Sequence, residues 1–307
     1  MCAAPLNAYQ DPRSTGALRE DLSDLIVNIS PTDTPFLSGL KKGQPAGSVY
    51  VEWMYDTLPT RDGGTARAEG ATVSFTALTN LPTRAANYTI ILDRDYQVSA
   101  TMAACDYAGQ NPLSREMKKA TLALANDMEY QLINGSAAYI GTDNSAARTM
   151  LGAVGAISTC AFAAGNVPLD VKMMDDVCAL AWIQGGKPRE IYVHQWLKRK
   201  ISSFNVGLTR NVQAADKRLI NDVMVYENAF ATQYVILSRD MRSSADDATL
   251  MMIDPDLWDI AYLRPPHTEQ LAKTRDVADN GMVITEFTLR YRAQQGNAKI
   301  TGLSTTA

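Results

Sequence analysis

Apolar positions recur along this chain with two periods, and the switches between them mark its elements. Leu18, Leu22, Leu25, Ile26 and Ile29 fall at three- and four-residue steps, which predicts a short helix with one apolar face. Ser30-Pro31 ends it, because proline disfavours helical backbone in the residue before it. Pro5, Pro12, Pro31, Pro35 and Pro45 punctuate the rest of residues 1–47, which therefore reads as an extended arm. An arm this thin cannot bury itself and must lie on another surface.

The period then becomes two. Residues 48–55 (Ser-Val-Tyr-Val-Glu-Trp-Met-Tyr) and 72–78 (Thr-Val-Ser-Phe-Thr-Ala-Leu) are rich in β-branched and aromatic residues and read as strands. Between them run Leu58 to Gly64 and Glu69-Gly70, polar and with the glycines that tight turns need, so this region predicts a projecting hairpin-like loop. A further strand over 87–98 alternates Tyr88, Ile90, Leu92, Tyr96 and Val98 against Thr89, Ile91, Asp93 and Gln97, and returns the chain to the body.

Asn111-Pro112 opens a long helix with a capping side chain followed by proline at the first helical position, and the pattern holds to Asn134-Gly135. Leu113, Met117, Ala120, Leu124, Met128 and Leu132 form one stripe, while Leu122, Ala125 and Ile133 lie across the barrel. A helix apolar on more than one side is a spine packed by several elements. Residues 141–166 are rich in small residues and predict a linker with strand pieces around Leu151 to Ile157. A helix over 169–183 follows, with Val171, Met174, Val177, Cys178 and Ala181 inward and Gly185-Gly186 as its stop. A strand at 190–193, a helix at 195–204 and strands at 222–226, 234–237 and 249–253 complete a second lobe of α+β character. The alternation Val283, Thr285, Phe287, Leu289, Tyr291 marks a strong strand that returns to the first lobe.

A chain of 307 residues exceeds one small domain, and its composition, 46% hydrophobic and 20% charged, is that of a folded globular protein. The net charge of −4 and a longest basic cluster of only Lys198-Arg199-Lys200 exclude a protein held to nucleic acid mainly by counterion release. Cys2, Cys105, Cys160 and Cys178 have no C-x-x-C spacing and no histidine at metal-ligand spacing, so they read as reduced thiols in a cytosolic setting. No basic and apolar leader opens the sequence and no apolar run reaches the length of a bilayer, which predicts neither secretion nor membrane insertion.

Signatures of chemistry are sparse. No G-x-S-x-G, H-E-x-x-H, Walker A or G-x-G-x-x-G pattern occurs; Gly152-Ala-Val-Gly155-Ala lacks the third glycine. With only His194 and His267, a histidine base or a multi-histidine metal site is hard to build. Asp175-Asp176, Asp246-Asp247 and Asp254-Pro-Asp256 are the carboxylate clusters, and each also suits a helix's polar side or a turn. Trp258 to Gln270 concentrates aromatics, prolines and His267. It reads as a hinge, since Pro265-Pro266 imposes extended backbone, or alternatively as the Asp/His cleft of a hydrolase or transferase. No catalytic, cofactor-binding or metal-ligating residue is assigned.

Three stretches together resemble the major capsid proteins of tailed bacteriophages. They are residues 19–38 (Arg-Glu-Asp-Leu-Ser-Asp-Leu-Ile-Val-Asn-Ile-Ser-Pro-Thr-Asp-Thr-Pro-Phe-Leu-Ser), Glu129-Tyr130 with Leu132 at the end of the spine, and residues 254–269 with Leu271-Ala-Lys-Thr-Arg275. The order matches from about residue 15 to 300. The resemblance implies an α+β, Hong-Kong-97-like subunit with an N-terminal arm (1–47) and an extended loop (48–98). It also implies a peripheral domain (99–164) holding the spine helix 112–134, an axial domain (165–265), and a return to the peripheral domain (266–307). It implies a structural protein, not an enzyme, that assembles with itself into hexamers and pentamers of an icosahedral head shell in the host bacterial cytoplasm. Portal, scaffolding or decoration proteins would be further partners, and packaged double-stranded DNA would be touched weakly and non-specifically. The long helical scaffolding segment of many relatives is not visible, so a separate scaffold or none is expected, and the lysine–asparagine cross-linking pair is not identified. No cofactor is implied. In such a subunit, apolar residues on elements too thin for a core mark contacts with neighbours, which singles out Pro35, Phe36, Leu37, Val51, Trp53, Tyr55, Phe75 and Leu78. Another virion part, such as a tail tube or decoration protein, is a third reading, against which the long helix argues.

Overall fold

The computed structural model describes residues 30–58, 66–72, 81–105, 111–140, 146–204, 223–244, 246–273 and 277–306. The predicted helix 18–29, most of the strand 72–78, and the candidates Phe75 and Leu78 lie outside them. Numbered along the chain, β1 (Lys41–Lys42), β13 (Trp258–Gln270), β14 (Val277–Tyr291) and β4 (Ile90–Ser99) lie side by side in that order in a first sheet. Only the β1 edge is parallel.

Across this sheet lies the spine, α3 (Pro112–Asn134), against β4 and β14. Asn111 Oδ1 accepts a bond from the Leu113 N–H at 2.9 Å, and Pro112 takes the first position, where its missing donor costs nothing. Ala120, Leu124, Met128 and Leu132 on the expected stripe are buried, joined by Ile133, while Leu122 is exposed. Their core includes Tyr96, Val283, Phe287 and Leu289 from the sheet.

The second sheet runs β7 (Ala161–Pro168), β15 (Ala298–Ser304), β12 (Asp247–Ile253), β8 (Glu190–Val193), β10 (Thr232–Leu237), β9 (Val225–Glu227), with β11 (Ser243–Ser244) against β12. Period-two alternation gives it two working faces. Ile191, Val193, Leu250, Met252 and Val235 pack with α5 (Val171–Ile183) and α6 (Gln195–Ser203). Tyr192, Met251 and Ile253 turn to the spine's core. The two cores are thus back to back across one sheet, which couples the two lobes. Of residues 266–307, Val277–Tyr291 lies in the first sheet and Ala298–Ser304 in the second.

Two expectations are corrected. Of the strand pieces expected around Leu151 to Ile157, only β6 (Thr149–Leu151) forms, and α4 (Ala153–Ala156) follows it after Gly152. Residues 258–270 form a strand and not a hinge. Its outer neighbour β1 pairs only with Asp259 and Ile260, and Gly43 and Ala46 donate backbone bonds to Ile260 and Tyr262. Pro265 and Pro266 come after these, at a register shift between Arg264 and His267, where a missing donor is tolerated.

Candidate functional site

A two-stranded hairpin leaves the body beside β14 and β6. Its stem pairs β2 (Tyr50–Tyr55) with β3 (Thr83–Tyr88), from Tyr50 opposite Tyr88 to Tyr55 opposite Thr83. Alternation divides β2 sharply. Val51, Trp53 and Tyr55 are half-buried toward the body, and Trp53 Nε1 donates to the Tyr291 carbonyl at 2.7 Å with the two rings edge-to-face at 4.9 Å. Tyr50, Glu52 and Met54 face outward. Met54 is 61% exposed, and Leu58 and Leu81 beyond the stem are 92% and 79% exposed. Among the described residues, nothing covers these large apolar side chains on so thin an element.

The arm behaves differently. Its helix α1 (Pro35–Gly39) packs on the spine, with Phe36 buried edge-to-face on Tyr192 at 5.4 Å. The N–H groups of Phe36 and Leu37 donate to the Glu129 carboxylate at 2.9 and 2.6 Å, so a spine residue caps the arm helix. Asn126 donates to the Pro31 carbonyl at 3.0 Å, and Arg239 pairs with Asp33 at 3.3 Å. Burial pushes Glu129 up to about 7, the two backbone bonds pull it down, and Asp240 adds to the rise. Phe36 is therefore corrected as a contact residue: it belongs to the subunit's own core. Pro35 and Leu37 are half-buried, and Leu37 packs against that core.

Of the carboxylates considered for acid–base work, Asp175, Asp176, Asp247, Asp254 and Asp256 are occupied by local partners. Asp175 accepts from the Tyr226 hydroxyl at 3.1 Å, and Asp176 pairs with Lys172 at 2.6 Å. Asp247 pairs with Arg242 at 3.5 Å. Arg189 bridges Asp254 and Asp256, and Lys41 also holds Asp256, which keeps that carboxyl below its ordinary value. His267 bonds to the Pro265 carbonyl and to Glu269, which together raise it, and it stands nine residues along β13 from Trp258. Nine residues of strand span about 30 Å, so His267 and the Asp254–Asp256 pair share no substrate. Trp258 is buried, its indole N–H on Asn297. Among the described residues no group of three His, Cys, Asp or Glu could hold a metal ion, and no helix is long and apolar enough to cross a membrane.

The sequence reading missed the outward set. Met54, Leu58 and Leu81 are not among the residues singled out from the sequence, although alternation from a body-facing Trp53 places Met54 outward. Trp182 and Ile183 at the end of α5, 54% and 69% exposed, also lie off the buried stripe of that helix. Met224 and Tyr234, at the β9–β10 edge, make a third exposed apolar group.

A search of curated proteins finds no match to the sequence. Solved structures do resemble it throughout. The capsid of cyanophage A-1(L) matches with a TM-score of 0.66 at 12% identity, covering 94% of this chain and 98% of that one. The capsid of a native GTA particle matches with a TM-score of 0.65 at 14% identity over 98% and 100%. The SrpI encapsulin of Synechococcus elongatus PCC 7942 gives 0.63 at 9% identity over 98% of both chains. These likenesses give the fold, which is Hong-Kong-97-like. The model of the SU10 major capsid protein family matches residues 6–304, nearly the whole chain. The chain belongs to the SU10 major capsid protein family.

Proposed function

We propose that this structural capsid protein closes its shell by laying the hairpin over a neighbouring subunit, within hexamers and pentamers of an icosahedral head around double-stranded DNA. A capsid role and self-association into the virion shell follow from the family. The observation that carries the finer reading is the outward apolar set Met54, Leu58 and Leu81 on an element with no core. In this reading residues 1–47 are the arm, 48–98 the extended loop, 99–164 the peripheral domain, 165–265 the axial domain and 266–307 the return. Pro35, Leu37, Val51, Trp53, Tyr55, Phe75 and Leu78 remain contact candidates, with Met54, Leu58 and Leu81 now foremost. DNA is touched weakly, as the net charge of −4 suits. Portal, scaffolding or decoration proteins join the shell, which assembles in the host cytoplasm.

The test is deletion of Asp56 to Gly70. The shortened subunit should keep its circular dichroism and thermal midpoint, and should stay unassembled in analytical ultracentrifugation and negative-stain images under conditions where the intact protein gives shells, tubes or rings. Normal particles from the deletion would overturn the hairpin's role.

A further inference from the structure

The hairpin joins the body through a buried polar cluster that neither core needs. Strand β3 ends at Tyr88 and β4 begins at Ile90, so the residue between them, Thr89, is where the ladder changes partner. Its N–H still bonds to Val49 of the outgoing chain, while Ile90 already pairs with Phe287 of β14. Thr89 is fully buried, and its Oγ1 donates to Glu286 Oε1 at 2.9 Å. Glu286, 4% exposed, also accepts from Arg148 Nη2 at 2.6 Å and from Arg264 Nε at 3.1 Å, Arg264 being its cross-strand neighbour. Burial pushes this carboxyl up, but the Thr89, Arg264 and Arg148 contacts outweigh it and hold the group below its ordinary value.

One residue pair earlier, buried Asn87 performs the same function with an amide. Its Nδ2 donates to the Leu151 and Leu289 carbonyls at 3.0 Å each, and its Oδ1 accepts from the Leu151 N–H at 2.9 Å. Asn87 and Thr89 thus tie the root of the hairpin to β6 and β14 through directional bonds, and Glu286 carries the tie on to Arg264 of β13. A buried, fully partnered ionic cluster adds little net stability over a well-packed apolar one, but it fixes one geometry. Geometry is what the root of a lever must fix. Together with the Trp53 contact on Tyr291 midway along the stem, the root bonds set the direction of the hairpin, and a shift of about 1 Å at its far end already forfeits a large part of a van der Waals contact with a neighbour.

We propose that Glu286, acting through Thr89, is the positioning residue that sets the direction in which the hairpin leaves the subunit, and through it the curvature of the assembled shell. This rests on the reading that the hairpin reaches a neighbour. It goes further in naming what aims the hairpin.

Thr89→Val keeps the branched shape and removes only the donor to Glu286; Thr89→Ser restores a hydroxyl. The expected result is a Val subunit with a near-unchanged thermal midpoint that assembles into particles of mixed diameter or into open and tubular forms, while the Ser variant gives the parent's diameter distribution. Should the Val variant fail to fold, Arg264→Met withdraws one of Glu286's donors from a partly exposed position and is expected to broaden the diameters likewise. A folded Thr89→Val or Arg264→Met subunit that forms particles with the parent's single diameter overturns the proposal. If the 56–70 deletion still abolishes assembly, the hairpin's reach stands and only its aiming by Glu286 is lost. If the deletion assembles normally, the underlying reading itself fails.

Discussion

Glu129 is a fully buried carboxylate in no ion pair among the described residues, and its two bonding partners are the backbone N–H groups that open the arm helix. The groups around it add no compensating charge. Asp240 raises it, Tyr192 carries its hydroxyl to Glu190, and Arg239 is engaged with Asp33. Its acidity moves from an ordinary 4.5 to about 7, so between those values the folded subunit keeps a proton that the unfolded chain has released. The stabilisation is therefore complete below about pH 4.5 and is lost as pH rises to 7, by an amount on the order of 3 kcal/mol. Glu129→Gln removes the titration and should cost about 1 kcal/mol at low pH through a weakened cap. The thermal midpoint of the parent should thus fall further than that of the variant between pH 5 and pH 8. Parallel midpoints across that range would show that Glu129 does not titrate there.

Elements differ in how far local sequence decides them. The spine was legible because its cap, its proline and its stripe agree: Asn111 caps, Pro112 leads, and Leu124, Met128 and Leu132 are buried. Strand β14 was legible from its alternation. The run Ala161–Pro168 was not, since small residues and Gly165 carry no period, and it is a strand because β15 lies beside it in parallel. Strand β13 was hidden by Pro265-Pro266, which only an unpaired edge permits. The turn at Gly152 was hidden for a related reason: the sequence does not show what lies opposite. A Cβ on Gly152 would come within 2.5 Å of the Gly135 nitrogen and 2.8 Å of the Ile133 carbonyl, both backbone atoms at the end of the spine. The Gly152 N–H also bonds to the Gly135 carbonyl at 2.8 Å. Gly152→Ala must therefore push β6 off the spine, and a loss of about 3 kcal/mol is expected in denaturant titration. An unchanged midpoint would mean that this junction can open freely.

For the whole molecule, the question is which apolar surface belongs to the subunit and which to the assembly. Phe36 looked like an assembly residue and is core; Met54 looked incidental and is outward. The candidate site was legible only as far as its element, because a strand's alternation gives two faces and only the body's position decides which one is inside. That position is fixed here by Trp53 on Tyr291. Converting Met54 and Leu81 together to Gln should leave the isolated subunit within about 0.5 kcal/mol of the parent, as neither contributes to its core. At an interface the same two side chains would each withdraw about 1.5–3 kcal/mol of apolar burial. Since about 1.4 kcal/mol is tenfold in an association constant, the protein concentration at which particles first appear should rise at least about tenfold. Light scattering against concentration reads that threshold, and calorimetry on the same samples reads the fold. A threshold that stays put with an unaltered calorimetric transition would assign the outward face to solvent. A threshold that rises only because the transition has fallen would return Met54 and Leu81 to the subunit's own stability.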